Sequence, residues 1–340
     1  PSCRRPSWLQ DLSEYGEQFT QAEKIFWSEQ QFKNIDFDQE SQYFFGYPLR
    51  EGQRKIIHTL AQAEQTPIGL LPTGGGKSLT FQLPALVLSR YRRELTVIIS
   101  PLKALMEDQV MGLQALGHWG NRSACLISGQ SEEEQSKILE GIWTGSIDLL
   151  YISPERLRTH TIQMLLSRRR PALWVMDEAH TLSQWGTDFR PDFLRIGRLI
   201  AQCYRDQNAT PPHLMLVTAT ASKRAIEQIE AEVIQPLHHV IGLPTEVVTV
   251  EQKQQVWRDN ISTEYIELDA SQRLPEIRKI LNEVFPTRRS DVQVNIEDLD
   301  PQHPIVLIYV RSRSKTEEFA QELALQGFLV EPYHAGMSAN

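Results

Sequence analysis

Between residues 47 and 241, short apolar runs alternate with longer segments that suit helices, and this alternation constrains the fold more than any other feature. The runs are rich in β-branched residues and have the length of buried strands. Strands are predicted at residues 68–71, 96–100, 124–127, 148–152, 173–177 and 214–218. Helices are predicted at residues 52–63, 79–90, 103–116, 131–141, 193–204 and 223–233. The pattern predicts βαβ units and therefore an α/β fold, with a parallel sheet flanked by helices.

The chain divides into four predicted stretches. Residues 1–42 are polar with scattered aromatics and are interpreted as an N-terminal extension of unknown role. Residues 43–241 are the predicted α/β domain, and the charged residues 242–304 are a connector with a surface insertion. A second, incomplete α/β domain is predicted to begin in residues 305–340, with a strand at 305–310, a helix at 315–326 and a strand at 328–333. Because the first residue is proline, we interpret the chain as a processed or excised piece.

The composition, with 41% hydrophobic and 23% charged residues, is ordinary for a globular protein. No apolar run reaches membrane-spanning length, so no membrane association is expected. The net charge of −8 argues against a generally basic surface but leaves room for a local basic groove that binds nucleic acid. Cys3, Cys125 and Cys203 lack the spacing of a metal site or a disulfide framework. This favours a reducing compartment, either the cytoplasm or, in a eukaryote, the nucleus.

A glycine-rich segment links the first predicted strand to the helix that follows it. Residues 70–78 are Leu-Leu-Pro-Thr-Gly-Gly-Gly-Lys-Ser, and backbone N–H groups at such a helix start can bind phosphates. Lys77 would reach the β/γ-phosphates and the Ser78 hydroxyl would ligate Mg²⁺. Leu71 occupies a position where a full Walker A pattern has glycine. A turn with a purely structural use is the alternative. The predicted phosphate-binding residues are Thr73, Gly74, Gly75, Gly76, Lys77 and Ser78.

Two carboxylates follow the predicted strand at residues 173–177. Buried carboxylates are costly unless they are paired or bound to a metal. Asp177 suits Mg²⁺ coordination, and Glu178 suits a general base that orients an attacking water. His180 could relay the state of the nucleotide to other elements. The alternative is a solvated helix start, with acids near the positive end of the helix dipole.

These segments are part of an ordered set that resembles the RecQ family of superfamily 2 helicases. Residues 73–78 resemble motif I, and Asp-Glu-Ala-His at residues 177–180 resembles motif II. Further segments resemble, in chain order, motif 0 (45–53), motif Ia (100–109), motif Ib (151–156), the aromatic-rich loop (183–191), motif III (218–221) and motif IV (308–313). The resemblance spans residues 43–338. It implies RecA-like domains of the P-loop NTPase type, the second of them incomplete.

The resemblance implies an ATP-dependent DNA helicase that uses Mg²⁺ and couples ATP hydrolysis to 3′-5′ translocation on single-stranded DNA and to duplex unwinding. Single-stranded or duplex-junction DNA would be the partner, while RNA and protein partners stay open. One alternative is a DNA-stimulated ATPase or translocase that does not separate strands, within a DNA-modification or defence assembly. Another is a non-catalytic scaffold, against which the intact Lys77, Asp177 and Glu178 argue. Motifs V and VI, with the family's arginine finger, have no counterpart before residue 340, so this segment alone should hydrolyse ATP slowly.

The resemblance also implies an adenine site in motif 0. The Gln53 amide can both donate to and accept from an adenine edge, Arg50 would assist, and Tyr47 would stack on the base. The spacing from Tyr47 to Arg50 is one residue shorter than in the family pattern. A surface helix start is the alternative.

DNA contacts are implied at two loops. Lys103, directly after a predicted strand, would offer a cation to a DNA backbone, unless this is an ordinary strand–helix connection. The aromatic-rich loop would stack on unpaired bases and bind phosphate, unless its aromatics fill the core. Its implied contacts are Gln184, Trp185, Phe189 and Arg190. Thr218 and Thr220 would couple the nucleotide site to neighbouring loops. The three arginines at 168–170 are interpreted as a solvated surface rather than a DNA patch.

Overall fold

A computed structural model describes residues 32–72, 74–179, 196–204, 211–219, 223–251, 262, 264–285 and 305–334. The chain separates into two units, residues 1–256 and residues 257–340. The division falls within the stretch predicted to be a connector, whereas the predicted domain boundaries themselves stay predictions. Within the described ranges, no helix is long and apolar enough to cross a membrane.

The first unit is built on a seven-stranded parallel sheet with the order β3-β4-β2-β5-β6-β1-β7. This confirms the predicted α/β fold. The strands are β1 Thr66–Leu70, β2 Thr96–Ile99, β3 Ser123–Leu126, β4 Leu149–Ile152, β5 Leu173–Met176, β6 His213–Thr218 and β7 Val247–Glu251. The first six correspond to the six predicted strands. The seventh lies in the predicted connector, where it pairs with β1 from Thr66↔Val247 to Leu70↔Glu251.

Helices cover both faces of this sheet, as a parallel sheet requires. They are α1 Phe37–Phe45, α2 Glu51–Gln62, α3 Lys77–Arg92, α4 Lys103–Gln114, α5 Glu132–Thr144, α6 Pro154–Leu157, α7 His160–Arg168, α8 Ile196–Gln202, α9 Lys223–Ile229 and α10 Gln235–Ile241. A π-helical turn, Glu230–Ile234, joins α9 to α10. Local chemistry sets several ends: Ser131 and Glu134 form a capping box at the start of α5.

Alternate residues of most strands enter two hydrophobic clusters, one on each side of the sheet. In β5, Trp174 and Met176 belong to one cluster, while Leu173 and Val175 belong to the other. The second cluster also contains Phe37 of α1. Helix α1 therefore belongs to the core of the first unit, although its first residues fall in the stretch interpreted as an extension. Its N-cap is Asp36, whose carboxylate accepts two backbone N–H groups.

The described part of the second unit contains two helices, α11 Ala270–Val284 and α12 Arg313–Ala324. Helix α12 corresponds to the predicted helix at 315–326. The strands predicted at 305–310 and 328–333 are wrong for this structure, because residues 305–310 and 328–334 are in neither helix nor strand. A strand exists only where its backbone pairs with a neighbour, and the apolar side chains of Ile305, Leu307 and Tyr309 are exposed.

Candidate active site

The carboxyl ends of three adjacent strands, β5, β6 and β1, bring the predicted motifs to one edge of the sheet. The glycine-rich loop follows β1, Asp177 and Glu178 follow β5, and Thr218 ends β6. The Leu71 N–H donates to the Thr218 carbonyl over 3.1 Å, which ties the loop to β6. Ligands of open α/β sheets bind at this edge. The buried position of Thr218 suits the predicted coupling role, which stays a prediction.

The glycine-rich loop has a shape that side chains would disturb. Gly74 and Gly76 have φ values of 75° and 76°, in the left-handed region. The Gly75 N–H donates to Pro72 O over 2.8 Å, and a Cβ on Gly75 would lie 2.8 Å from that same oxygen. Helix α3 begins immediately afterwards with Lys77 and Ser78. Backbone N–H groups at the start of this helix can therefore bind an anion. Thr73 lies outside the described residues.

Lys77 and Glu178 form an ion pair across the site. Lys77 Nζ lies 2.7 Å from Glu178 Oε1, and the two side chains are only 15% and 16% exposed. The residues are 101 positions apart in sequence, so the fold alone brings them together. Glu178 has a φ of 51°, an uncommon conformation for a non-glycine residue, and its N–H donates to Asp177 Oδ1 over 2.9 Å. The pair connects the glycine-rich loop directly to the acidic motif.

Asp177 is 3% exposed at the end of β5. Burial, with the nearby Glu178 carboxylate, raises the pKa of Asp177 to about 6, although Lys77 opposes the shift. A buried carboxylate of this kind favours a cation beside it. The Asp177 carboxylate and the Ser78 hydroxyl are hard oxygen donors, the kind that Mg²⁺ prefers together with water and phosphate. Among the described residues, no group of three or more His, Cys, Asp or Glu could hold a metal ion.

Gln53 lies against the glycine-rich loop. It is 3% exposed, so the alternative of a surface helix start is wrong for its side chain. Its Nε2 donates to Gly76 O over 3.1 Å, and its Oε1 accepts the Arg50 N–H over 2.8 Å. The Arg50 guanidinium lies 3.4 Å from Gly74 O. Tyr47 is 52% exposed beside the ring of Phe45. The predicted adenine contacts of these residues stay predictions, and the packing of Gln53 on the loop was not foreseen.

The predicted DNA-binding residues are described only in part. Lys103 is the first residue of α4, and its side chain is 50% exposed. The other DNA-binding candidates lie outside the described residues: Gln184, Trp185, Phe189 and Arg190. The same is true of His180, predicted to relay the state of the nucleotide, and of Thr220, predicted to couple the nucleotide site to neighbouring loops. The arginine run is not uniformly solvated as predicted. Arg168 is exposed, but the Arg169 guanidinium turns inward to the buried carboxylate of Asp148. A charge pattern alone could not show that a buried acid lies within its reach.

In the sequence analysis, Ser100 is only the last residue of the predicted strand at 96–100 and the first of the segment that resembles motif Ia. The structure places its hydroxyl 3.5 Å from Asp177 Oδ2, within the candidate site. The position of Ser100 at the end of a strand could have suggested a place at the same edge. The neighbouring strand could not be identified from the sequence, because the strand order depends on non-local pairing.

With this geometry established, comparisons with known proteins identify the family. A family model described as DEAD/DEAH box helicase matches residues 50–229. The chain belongs to the DEAD/DEAH box helicase family. ATP-dependent DNA helicase RecQ from Haemophilus influenzae is 32% identical over 295 residues, which are 86% of this chain and 40% of that protein. Its counterpart from Synechocystis is 33% identical over 296 residues, covering 86% of this chain and 53% of that protein. These relatives confirm the resemblance to the RecQ family.

The chain spans about two fifths of the length of the first curated relatives that it matches. Probable ATP-dependent DNA helicase RecS from Bacillus subtilis is 41% identical over 187 residues, covering 55% of this chain and 35% of that protein. Among solved structures, the DUF1998 helicase MrfA bound to DNA and AMPPNP is similar with a TM-score of 0.55 and 15% identity. That match covers 86% of this chain and 38% of MrfA, and it shows a shared fold.

Proposed function

We propose that this chain is the ATP-binding part of a RecQ-type DNA helicase, which couples ATP hydrolysis to 3′-5′ translocation on single-stranded DNA and to duplex unwinding. The observation that supports it best is the 2.7 Å contact between Lys77 Nζ and Glu178 Oε1. This contact brings the cation expected to bind phosphate and the carboxylate expected to act as general base to one point at the start of α3. The RecQ relatives are named as ATP-dependent DNA helicases, in line with the proposal.

The residues of the site would divide the work. The N–H groups at the start of α3 would bind the phosphates, and Lys77 would move from Glu178 to the β/γ-phosphates. Glu178, released from Lys77, would orient the attacking water and accept its proton. Asp177 and Ser78 would hold Mg²⁺, which neutralises phosphate charge when it is bound. Gln53 and Arg50 would select adenine, Tyr47 would stack on it, and Thr218 would couple this site to its neighbours.

The DNA side of the proposal rests on Lys103 and on the aromatic-rich loop. Lys103 is half exposed at the first turn of α4, where its cation can reach a phosphate backbone. Trp185, Phe189 and Arg190 would add stacking and phosphate contacts, and Gln184 would assist. Such contacts recognise backbone and base faces more than sequence, so RNA is tested alongside DNA.

Replacing Glu178 by glutamine tests the proposal most directly. In the full-length protein, single-stranded DNA should stimulate ATP hydrolysis by the wild type. Glu178→Gln should lower kcat by about 10²- to 10⁴-fold, because the general base is lost, while an ATP analogue should still bind. Hydrolysis is measured by phosphate release and binding by a fluorescent analogue. A Glu133→Gln variant serves as a control, since Glu133 is an exposed glutamate of α5.

Strand displacement separates the proposed activity from its alternative. The wild type should displace a strand from a duplex with a 3′ single-stranded tail and not from one with a 5′ tail. Stimulated hydrolysis without displacement would favour the non-unwinding translocase, and stimulation by RNA alone would contradict the choice of DNA. A wild type that hydrolyses no ATP with either nucleic acid would overturn the proposal.

A further inference from the structure

Ser100 lies beside Asp177 because the register of the sheet places it there. Strands β2 and β5 are neighbours, and Ile99 pairs with Met176 in their ladder. The next residue of each strand, Ser100 and Asp177, therefore leaves the sheet at the same level. The Asp177 N–H donates to Ile99 O over 2.9 Å, which holds the two strand ends together.

The two oxygens of the Asp177 carboxylate have different donors. Oδ1 accepts the N–H of Glu178 over 2.9 Å. Oδ2 faces the Ser100 hydroxyl at 3.5 Å, at the outer limit of a hydrogen bond. Ser100 is 1% exposed, and its N–H donates to Ile152 O on the other side of β2. The backbone that carries this hydroxyl is thus hydrogen-bonded to both neighbouring strands, which fixes the position of Ser100 beside the carboxylate.

We propose that Ser100 is a positioning residue, whose hydroxyl holds Asp177 Oδ2 in the orientation that ligates the Mg²⁺ of bound Mg-ATP. The inference rests on the proposed function, which gives Asp177 its role as a metal ligand. Groups that orient metal-ligating side chains in this way typically change metal affinity or activity by about 10- to 100-fold when they are removed. Ser100 is also three residues before Lys103, so the same short connection joins the expected DNA contact to the Asp177 carboxylate.

The test compares Ser100→Ala and Ser100→Thr in the full-length protein. Affinity for a fluorescent, non-hydrolysable ATP analogue is measured over a range of Mg²⁺ concentrations and in EDTA. Ser100→Ala should raise the Mg²⁺ concentration for half-maximal binding by about tenfold and leave the affinity in EDTA unchanged. Ser100→Thr, which keeps the hydroxyl, should stay within about twofold of the wild type. The Mg²⁺ dependence of kcat should shift in parallel.

Ser89 provides a matched control. Its hydroxyl donates to the buried carboxylate of Asp148 over 2.6 Å, at the opposite edge of the sheet. Ser89→Ala likewise removes a serine hydroxyl that donates to a buried aspartate. It should lower Tm without changing the Mg²⁺ dependence of analogue binding. If Ser100→Ala lowers Tm but leaves the Mg²⁺ dependence unchanged, as Ser89→Ala should, the inference about Ser100 is overturned while the proposed function stands. A wild type that binds no ATP analogue would overturn the proposed function, and the inference with it.

Discussion

At the scale of single residues, His213 gives a pH dependence that can be measured. Burial lowers its pKa to about 4, although Nδ1 lies 3.1 Å from Leu60 O, and the Phe32 ring packs 5.0 Å away. An unfolded histidine has a pKa of about 6.5, so the unfolded chain takes up the proton first as the pH falls. The free energy of unfolding should therefore be insensitive to His213 above pH 6.5. It should fall between pH 6.5 and 4 by at most about 1.4 kcal/mol per pH unit.

Urea unfolding of the wild type and of His213→Gln between pH 7.5 and 4.5 measures this effect. In His213→Gln, the free energy of unfolding should fall less steeply as the pH is lowered, because the contribution of His213 is absent. His118 is exposed, and His118→Gln is the control that should keep the wild-type slope. Equal slopes for the wild type and His213→Gln would contradict the assignment.

The role of a residue could be predicted from the sequence only where its side-chain type suits one kind of partner, such as a phosphate or a cation. The residue types in Gly-Gly-Gly-Lys-Ser and in Asp-Glu-Ala-His are sufficient to indicate a phosphate and cation site. The Lys77–Glu178 pair and the contact of Gln53 with Gly76 O depend on which strand ends are adjacent. Arg169 shows the same limit, since its partner Asp148 is identified only by the fold.

At the scale of elements, α2 and the glycine-rich loop form one packed unit. Gly76 has a φ of 76°, and a Cβ there would lie 2.3 Å from Gln53 Nε2. Gly76→Ala should therefore displace the Gln53 side chain and strain the loop by about 1–3 kcal/mol. Because 1.4 kcal/mol corresponds to tenfold in affinity, binding of an ATP analogue should weaken by about 5- to 150-fold.

Gly112 in α4 is a suitable control for this substitution. A Cβ on Gly112 would meet nothing within 4 Å, and the residue is inside a helix. Gly112→Ala should leave nucleotide affinity unchanged and raise the free energy of unfolding by up to about 1 kcal/mol. Fluorescence titration of the analogue compares both variants with the wild type. Unchanged affinity for Gly76→Ala would show that α2 does not constrain the loop.

The elements themselves differ in how well the sequence predicted them. Strands β1 to β6 were predicted because each is a short, mostly apolar run between segments that suit helices, and most of their residues are buried. Strand β7 has a composition that suits a strand but lies in a charged stretch. It is a strand because its backbone pairs with β1. The segment 305–310 has the same kind of pattern and is not a strand. Periodicity indicates which residues can form a strand, while a hydrogen-bonded neighbour is needed to form it.

At the scale of the whole molecule, Asp148 connects several elements at the end of the sheet that lies opposite the candidate site. It is fully buried before β4, and its carboxylate contacts Arg122 before β3, Arg169 after α7 and Ser89 of α3. Asp148→Asn leaves both guanidinium groups without their counter-charge. Removing one partner of a buried ion pair typically costs about 3–5 kcal/mol, so the free energy of unfolding should fall by that order.

Urea unfolding checks this loss, with Lys137→Ala as the control because Lys137 and Glu133 form an exposed pair. The control should change the free energy of unfolding by less than about 1 kcal/mol. Analogue affinity, measured on the folded Asp148→Asn protein, should stay near the wild-type value because Asp148 lies at the other edge. Equal effects on stability for the two variants would contradict the role of Asp148.

The sequence by itself determined the class of fold and the residue types of the candidate site. Alternating apolar and amphipathic segments have the period of βαβ units, and such periods depend only on near neighbours in the chain. The tertiary structure alone decided the strand order β3-β4-β2-β5-β6-β1-β7 and, with it, the adjacency of Ser100 and Asp177. It also decided that Lys77 meets Glu178. Strand order follows from long-range pairing and from the packing of two cores, which no local pattern encodes.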